Sequence, residues 1–480
     1  MSLDPPTYLN SLQSNIRARP IPWEGAVRAG TITDNDLQRI KTVDKVRKDQ
    51  RRQTVEADQN AYRSLLLGGD GEKSVLESAA KRADVIQYML VLASDLINDV
   101  PPLAATLLDH PSPFKPFLPL LSHSTNPEDS IPLLTSSFLA SLISASQTDS
   151  PKATSQIDEA LPKLYSYLST LTKSQDSGLQ DIAVQEYSAL LKTKKARELF
   201  WKQRQDTVNP LVDILRAAAG AGRDSDSTMW SGGASIRSAT EAGLSGGVGL
   251  QLLYHVLLAI WQLSFEASLI GKDLEKEQEI IALYTQLLRL SPKEKTTRVL
   301  LSTLVNLLKP SQNRSTLLPI ATTVRLPALL TNLKARHLTD EDLLEDLNNL
   351  TSMLSDYTSS QTTFDEYASE VLAGRLRWSP PHRDATFWRD NARKILDENQ
   401  AELPKKLMEI MQKKWEDEKQ VLAIACNDVA WLVKEAPEKR GQLEKLGVKA
   451  RVMELMADEN EGVRWESLRA VGEWLRYSFE

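Results

Sequence analysis

The same apolar spacing occurs twice near the C-terminal end of this 480-residue chain, 42 residues apart. Val421 aligns with Val463, Ala425 with Ser467, Val429 with Val471, Leu432 with Trp474 and Val433 with Leu475. Each set recurs at helical spacing and so falls on one face of a helix. Pro437 breaks the chain after the first set, Gly447 stands where a helix C-terminal cap belongs, and residues 458–462 are polar. Helical units recurring at about 40–47 residues mark armadillo and HEAT repeats. One such unit is too small to bury its own apolar face, so units stack and leave an extended groove. The expected fold is all-α: an armadillo/HEAT-like helical-repeat solenoid in two lobes, a large N-terminal one and a smaller C-terminal one.

The rest of the sequence agrees with helices. No Asn-Gly or Asp-Gly turn separates alternating apolar runs, so hairpins lack their usual signal. Aromatic residues are 6% of the chain, and Leu, Ala, Glu and Lys are abundant, which favours helix over sheet. Between Lys293 and Leu308 the residues Leu300, Leu301, Leu304, Leu307 and Leu308 form one stripe, ended by Pro310. A second helix is expected from Thr339 as its cap, with Leu343, Leu344, Leu347, Leu350 and Leu354 buried. Residues 217–249, rich in Gly, Ser and Ala, are too poor in apolar surface to offset their ordering entropy, and are expected as a flexible loop. The polar stretch 355–363 reads as a linker. The expected domains are therefore 1–354 and 364–480.

Chemistry-bearing patterns are missing. A net charge of −6 argues against a dedicated nucleic-acid binder. The single cysteine, Cys426, forms no internal disulfide and reads as a buried small hydrophobe in a reducing compartment. His110, His123, His255, His337 and His382 show no metal-binding spacing, and His255 reads as a packed imidazole. Gly271-Lys272 lacks the upstream glycine of a phosphate loop, and the glycines at 246, 247 and 249 follow no strand. Asp340 and Glu345 read as a solvated helix face, as does the basic run from Lys41 to Arg52, for which docking of an acidic partner is the other reading. No secretory signal is visible. The most apolar stretch, Leu250–Phe265, carries Gln251, His255, Gln262 and Ser264 and falls short of the roughly 20 apolar residues a membrane span needs. The expectation is a protein without catalysis, cofactor or metal, reaching any membrane through a partner.

Two blocks go beyond periodicity. Residues 15–30 read N-I-R-A-R-P-I-P-W-E-G-A-V-R-A-G and include Arg19, Pro20, Trp23, Glu24 and Gly25. Residues 364–391 contain F-D-E-Y, G-R-L-R-W-S-P-P-H and F-W-R-D-N, which supply Asp365, Glu366, Tyr367, Trp378, Ser379, Pro380, His382, Phe387 and Trp388. Both blocks resemble signatures of the H subunit family of the vacuolar-type proton-pumping ATPase (V-ATPase). Arg377 departs from it, standing where a less basic residue is the rule, and residues after Ala217 look like an insertion. The resemblance implies a non-catalytic regulatory subunit. Its N-terminal domain would grip the peripheral stalk of subunits E and G. Its C-terminal domain would rest on the cytosolic part of the a subunit, and in the detached ATPase sector would swing over and block hydrolysis. It implies a peripheral place on the cytoplasmic face of the vacuolar membrane, and the cytosol after detachment.

The inhibitory contact is expected between Gln412 and Lys419, where Lys413, Lys414, Glu416 and Asp417 flank Trp415. An ordinary charged turn is the alternative there. For the whole chain the alternative is a generic armadillo-repeat adaptor, which accounts for the helices but not for the two signature blocks.

Overall fold

The computed structural model describes residues 7–69, 71, 73–145, 151–220, 249–291, 293–360, 362–415 and 418–476. Among them every regular element is a helix. The leucine stripe from Leu300 to Leu308 is fully buried, on a helix spanning Glu294–Leu308 that ends just before Pro310. Pro310 then caps the next helix, Ser311–Thr323, where its missing N–H costs nothing.

Many long-range polar bonds repeat at a similar sequence distance. The Tyr88 hydroxyl donates to Asp44 at 2.6 Å, 44 residues away. Arg51 reaches Asp99 at 2.6 Å over 48 residues, and Gln87 reaches Ser130 at 2.6 Å over 43. Further along, Asn313 donates to the Ala267 carbonyl over 46 residues and Arg336 to the Ser291 carbonyl over 45. Gln442 donates to the Leu396 carbonyl over 46 residues. These distances lie close to the armadillo/HEAT period of about 40–47 residues.

Longer spans also occur: Arg17 reaches Asp95 over 78 residues and Arg19 reaches Gln87 over 68. His255 Nδ1 meets Asp181 Oδ1 at 2.6 Å, and Gln262 donates to the Ser188 carbonyl at 2.9 Å, each over 74 residues. Leaving out the 28 residues from 221 to 248 returns this distance to 46. The loop expected at 217–249 lies outside the described residues for that part. At its edges, Ala217 and Ala218 end the helix Arg204–Ala218 and Leu250 begins the helix Leu250–Ser264.

Contacts divide the chain into two compact units, Met1–Leu215 with Val248–Glu266, and Arg216–Gly247 with Ala267–Glu480. The stretch expected as a linker, 355–363, lies in the second of these units. Residues 355–360 are themselves helical, as the last turns of Glu341–Ser360. Within these turns Thr358 returns its hydroxyl to the Leu354 carbonyl at 2.8 Å, so its polar group does not compete for the helix's N–H groups. Two further expectations shift slightly. Asp340, not Thr339, caps this helix, accepting from the Leu343 N–H at 3.0 Å. Thr339 is instead held by Glu294, which takes both its N–H and its hydroxyl at 3.1 Å. Leu344 is 37% exposed, whereas Leu343, Leu347, Leu350 and Leu354 are buried.

Candidate functional site

The second signature block folds into a single core. Thr362 caps the helix Thr363–Leu372 through a reciprocal pair with Asp365, which fixes where that helix starts. The helix buries Phe364 and Tyr367 and leaves Glu366 exposed. Pro380 opens the short helix Pro380–Arg383, and Asp384 caps Ala385–Asp397 by accepting from Thr386 at 2.9 Å. Around Tyr367 stand the His382, Phe387 and Trp388 rings, with centroids 5.5, 5.4 and 5.2 Å away. Edge-on and tilted aromatic packing of this kind ties the three helices together.

His382 is the polar centre of this core. It is fully buried, with Nδ1 2.7 Å from Asp428 and Nε2 3.0 Å from Glu370. Burial works against its charge, but the carboxylates of Asp428 and Glu370 outweigh it, and the imidazole is pushed up to about 9. The Asp428 carboxyl is also raised, by the same burial. Asn427 donates to the His382 carbonyl at 2.9 Å and in turn accepts from Arg469 on the terminal helix Glu461–Arg476. A polar line thus runs Glu370, His382, Asp428 with Asn427, and Arg469, through successive helical units.

Trp378 and Ser379 are half-buried, and Pro380 is exposed. The Arg383 guanidinium lies over the Trp378 ring, 5.1 Å from its centroid. Arg377 is half-buried; its backbone N–H donates to Glu370 at 3.3 Å, and burial pulls its guanidinium down to about 10.

The segment expected to carry the inhibitory contact follows the helix Glu402–Gln412. Lys413 and Lys414 are exposed. Trp415 is turned inward, not outward between the lysines: it is 5% exposed, and its indole N–H donates to the Ile410 carbonyl at 2.8 Å. Its large apolar area is the reason, since it completes the core that Tyr367 and Trp388 share. Lys413 places its ammonium 5.0 Å from the Trp415 ring centre, so the buried indole positions an exposed cation. Glu416 and Asp417 lie outside the described residues.

The first signature block braces an N-terminal helix. Pro22 precedes the helix Trp23–Arg28, and Trp23 packs edge-on against Tyr88 at 5.5 Å. Arg19 donates to Gln87 at 3.2 Å, Glu24 pairs with Lys41 at 3.1 Å, Gly25 is half-buried and Pro20 is exposed. Arg19 and Glu24 thus reach neighbouring helices, while Arg28 donates back to the Glu24 carbonyl at 3.2 Å.

Two sequence models of the V-ATPase H subunit match this chain, one over residues 7–354 and the other over 360–479. The chain belongs to the V-ATPase H subunit family. A probable V-type proton ATPase H subunit of Oryza sativa subsp. japonica is 28% identical over 485 residues, covering 94% of each chain. The V-type proton ATPase H subunit of Drosophila melanogaster is 28% identical over 484 residues, covering 99% of this chain and 91% of its own. Among solved structures, a designed armadillo repeat protein aligns over 65% of this chain and 99% of its own, at 13% identity and a TM-score of 0.26. Both signature blocks lie inside the family matches, one in each. Asp428, Asn427 and Glu370, which complete the His382 site, were missed by the motif; their only sequence signal is the 46-residue distance from His382 to Asp428, one repeat period. Among the described residues no group of His, Cys, Asp or Glu is placed to hold a metal ion, and no single helix is long and apolar enough to cross a membrane.

Proposed function

We propose that this chain is a non-catalytic, regulatory H subunit of a V-type proton-pumping ATPase. It bridges the cytosolic ATPase sector, through the stalk subunits E and G, to the membrane sector, through the a subunit, and silences hydrolysis when the ATPase sector is detached. The observation that carries this reading is the pair of family matches spanning 7–354 and 360–479. The domain division at 354/364 belongs to the same reading. The joint then lies between the helix ending at Ser360 and the one starting at Thr363. Its place is the cytoplasmic face of the vacuolar membrane, and the cytosol after detachment.

Silencing a rotary machine requires only a contact that favours one rotor position. Lys413 and Lys414 suit that contact. They are exposed, and the buried Trp415 beside them holds the turn, so little side-chain and loop ordering is left to the moment of binding. The test is ATP hydrolysis by the detached sector after adding back the full-length chain. Wild type lowers hydrolysis. Lys413→Ala with Lys414→Ala restores most of it while still co-sedimenting with the sector. Unchanged inhibition by this variant removes the lysines from the mechanism; failure of the wild-type chain to bind the sector removes the whole reading.

A further inference from the structure

The terminal helix Glu461–Arg476 has two unlike faces. Val463, Ser467, Ala470 and Trp474 are buried against the helix Lys419–Glu435 and its neighbours. The opposite face carries Glu461, Trp465, Leu468, Gly472 and Leu475, in alternating steps of four and three. Trp465 is 69% exposed, Leu468 50% and Leu475 51%. Leu475 is the position at which the 42-residue repeat fails: its counterpart, Val433, is fully buried.

The outer face is apolar and has the spacing of a coiled-coil seam. A second helix is the element that fits such spacing. Gly472 leaves a notch in mid-seam, where an added Cβ meets nothing within 4 Å. From Trp465 and Leu468 an open groove of about 630 Å³ runs to Trp378, Gln420 and Ala423, so the signature tryptophan borders the same face.

Charge selects the occupant. Arg464, Arg469 and Arg476 edge the stripe on its two sides. Glu466 pairs with Arg469 at 2.9 Å, and Glu473 with Arg476 at 3.3 Å. In these pairs the Glu466 and Glu473 side chains are 16% and 15% exposed and those of Arg469 and Arg476 37% and 59%; Arg469 also donates inward to Asn427, so Arg476 carries the more exposed charge. Arg464 is held by the Asp458 and Glu459 carbonyls at 2.9 and 2.7 Å, which leaves its charge in place. Glu461, at the first turn, is the one acid on the stripe itself.

We infer that this face docks an amphipathic helix of a partner protein, with leucine-type residues at heptad spacing and carboxylates on both flanks. The inference does not rest on the ATPase reading, because the chain alone tests it. The probes are two synthetic helical peptides with the same leucine seam, one flanked by glutamates and the other by lysines. Each is titrated into the full-length chain at low salt and followed by fluorescence anisotropy. The glutamate peptide binds saturably and at least about tenfold more tightly than the lysine peptide. Leu468→Glu and Gly472→Trp each weaken it by about tenfold or more with unchanged circular dichroism, since neither position touches the buried face. Arg464→Glu and Arg476→Glu combined reverse the preference between peptides. No saturation by about 1 mM, equal binding of the two peptides, or full binding by both single variants overturns the inference. A wild-type dimer in sedimentation that Leu468→Glu converts to monomer also overturns it, by making a second copy the occupant.

Discussion

His382 sits between Glu370 and Asp428, carboxylates supplied by two different helices, with no water-exposed surface of its own. Its folded value, about 9, lies above the ordinary 6.5, so the charged form is favoured by folding. The stabilisation is complete below about pH 6.5 and is lost as pH rises through about 9. Urea midpoints of the wild type are therefore expected to fall between pH 7 and pH 10 more steeply than those of His382→Gln. Asp428→Ala leaves a buried imidazolium with half its compensation and is expected to cost about 3–5 kcal/mol in urea unfolding at neutral pH. Loss of less than about 1 kcal/mol would show that the site is not charged. His382 was legible as part of a signature, but its partners were not, because side-chain reach across one repeat is set by packing rather than by local pattern. Trp415 misled for a related reason: charged neighbours mark a surface turn, yet a single large ring within it can still fold into the core. Cys426 is buried, as its apolar surroundings in sequence imply, and burial pushes its thiol up to about 12. Glu186, also buried and pushed up to about 8, has no sequence signal at all.

At the scale of the helix, caps and stripes were the legible features and exact ends were not. Thr362 with Asp365, and Thr33 with Asp36, show the reciprocal cap that a hydroxyl and an acid three residues apart provide. Thr339 with Asp342 offers the same spacing, but Glu294 from the preceding unit captures Thr339, and the cap moves to Asp340. A competing tertiary bond of this kind is invisible in local sequence. Gly271 gives a sharper case. Within an exposed helix, Gly→Ala stabilises by up to about 1 kcal/mol. Here a Cβ at Gly271 stands 2.5 Å from Asn313 Nδ2, the atom that donates to the Ala267 and Leu307 carbonyls at 2.8 and 3.0 Å. Gly271→Ala is therefore expected to destabilise by about 1–3 kcal/mol in thermal or urea unfolding, and a gain in stability would contradict this close packing.

Across the whole chain, the repeat was legible because stacked units reuse one apolar pattern, and the 42-residue match caught the last two of them. Stability in such an array is nearly a sum of each unit and its neighbours. Trp474 is almost fully buried in the final unit, and Trp474→Ala is expected to cost about 3–5 kcal/mol there. Amide exchange should quicken over residues 419–476 while protection in 83–99 stays as in the wild type; uniform loss of protection would mean that the chain unfolds as one block. What the 42-residue pattern could not reveal was its own interruption. The bonds Asp181–His255 and Ser188–Gln262 span 74 residues yet join helices that face one another as neighbouring units do elsewhere. Their geometry answers to where two helices begin, not to how much chain lies between. Lengthening or trimming residues 221–248 therefore leaves the rungs on either side in step. A ruler of constant pitch laid along the sequence, by contrast, misplaces every rung beyond that point by the same amount.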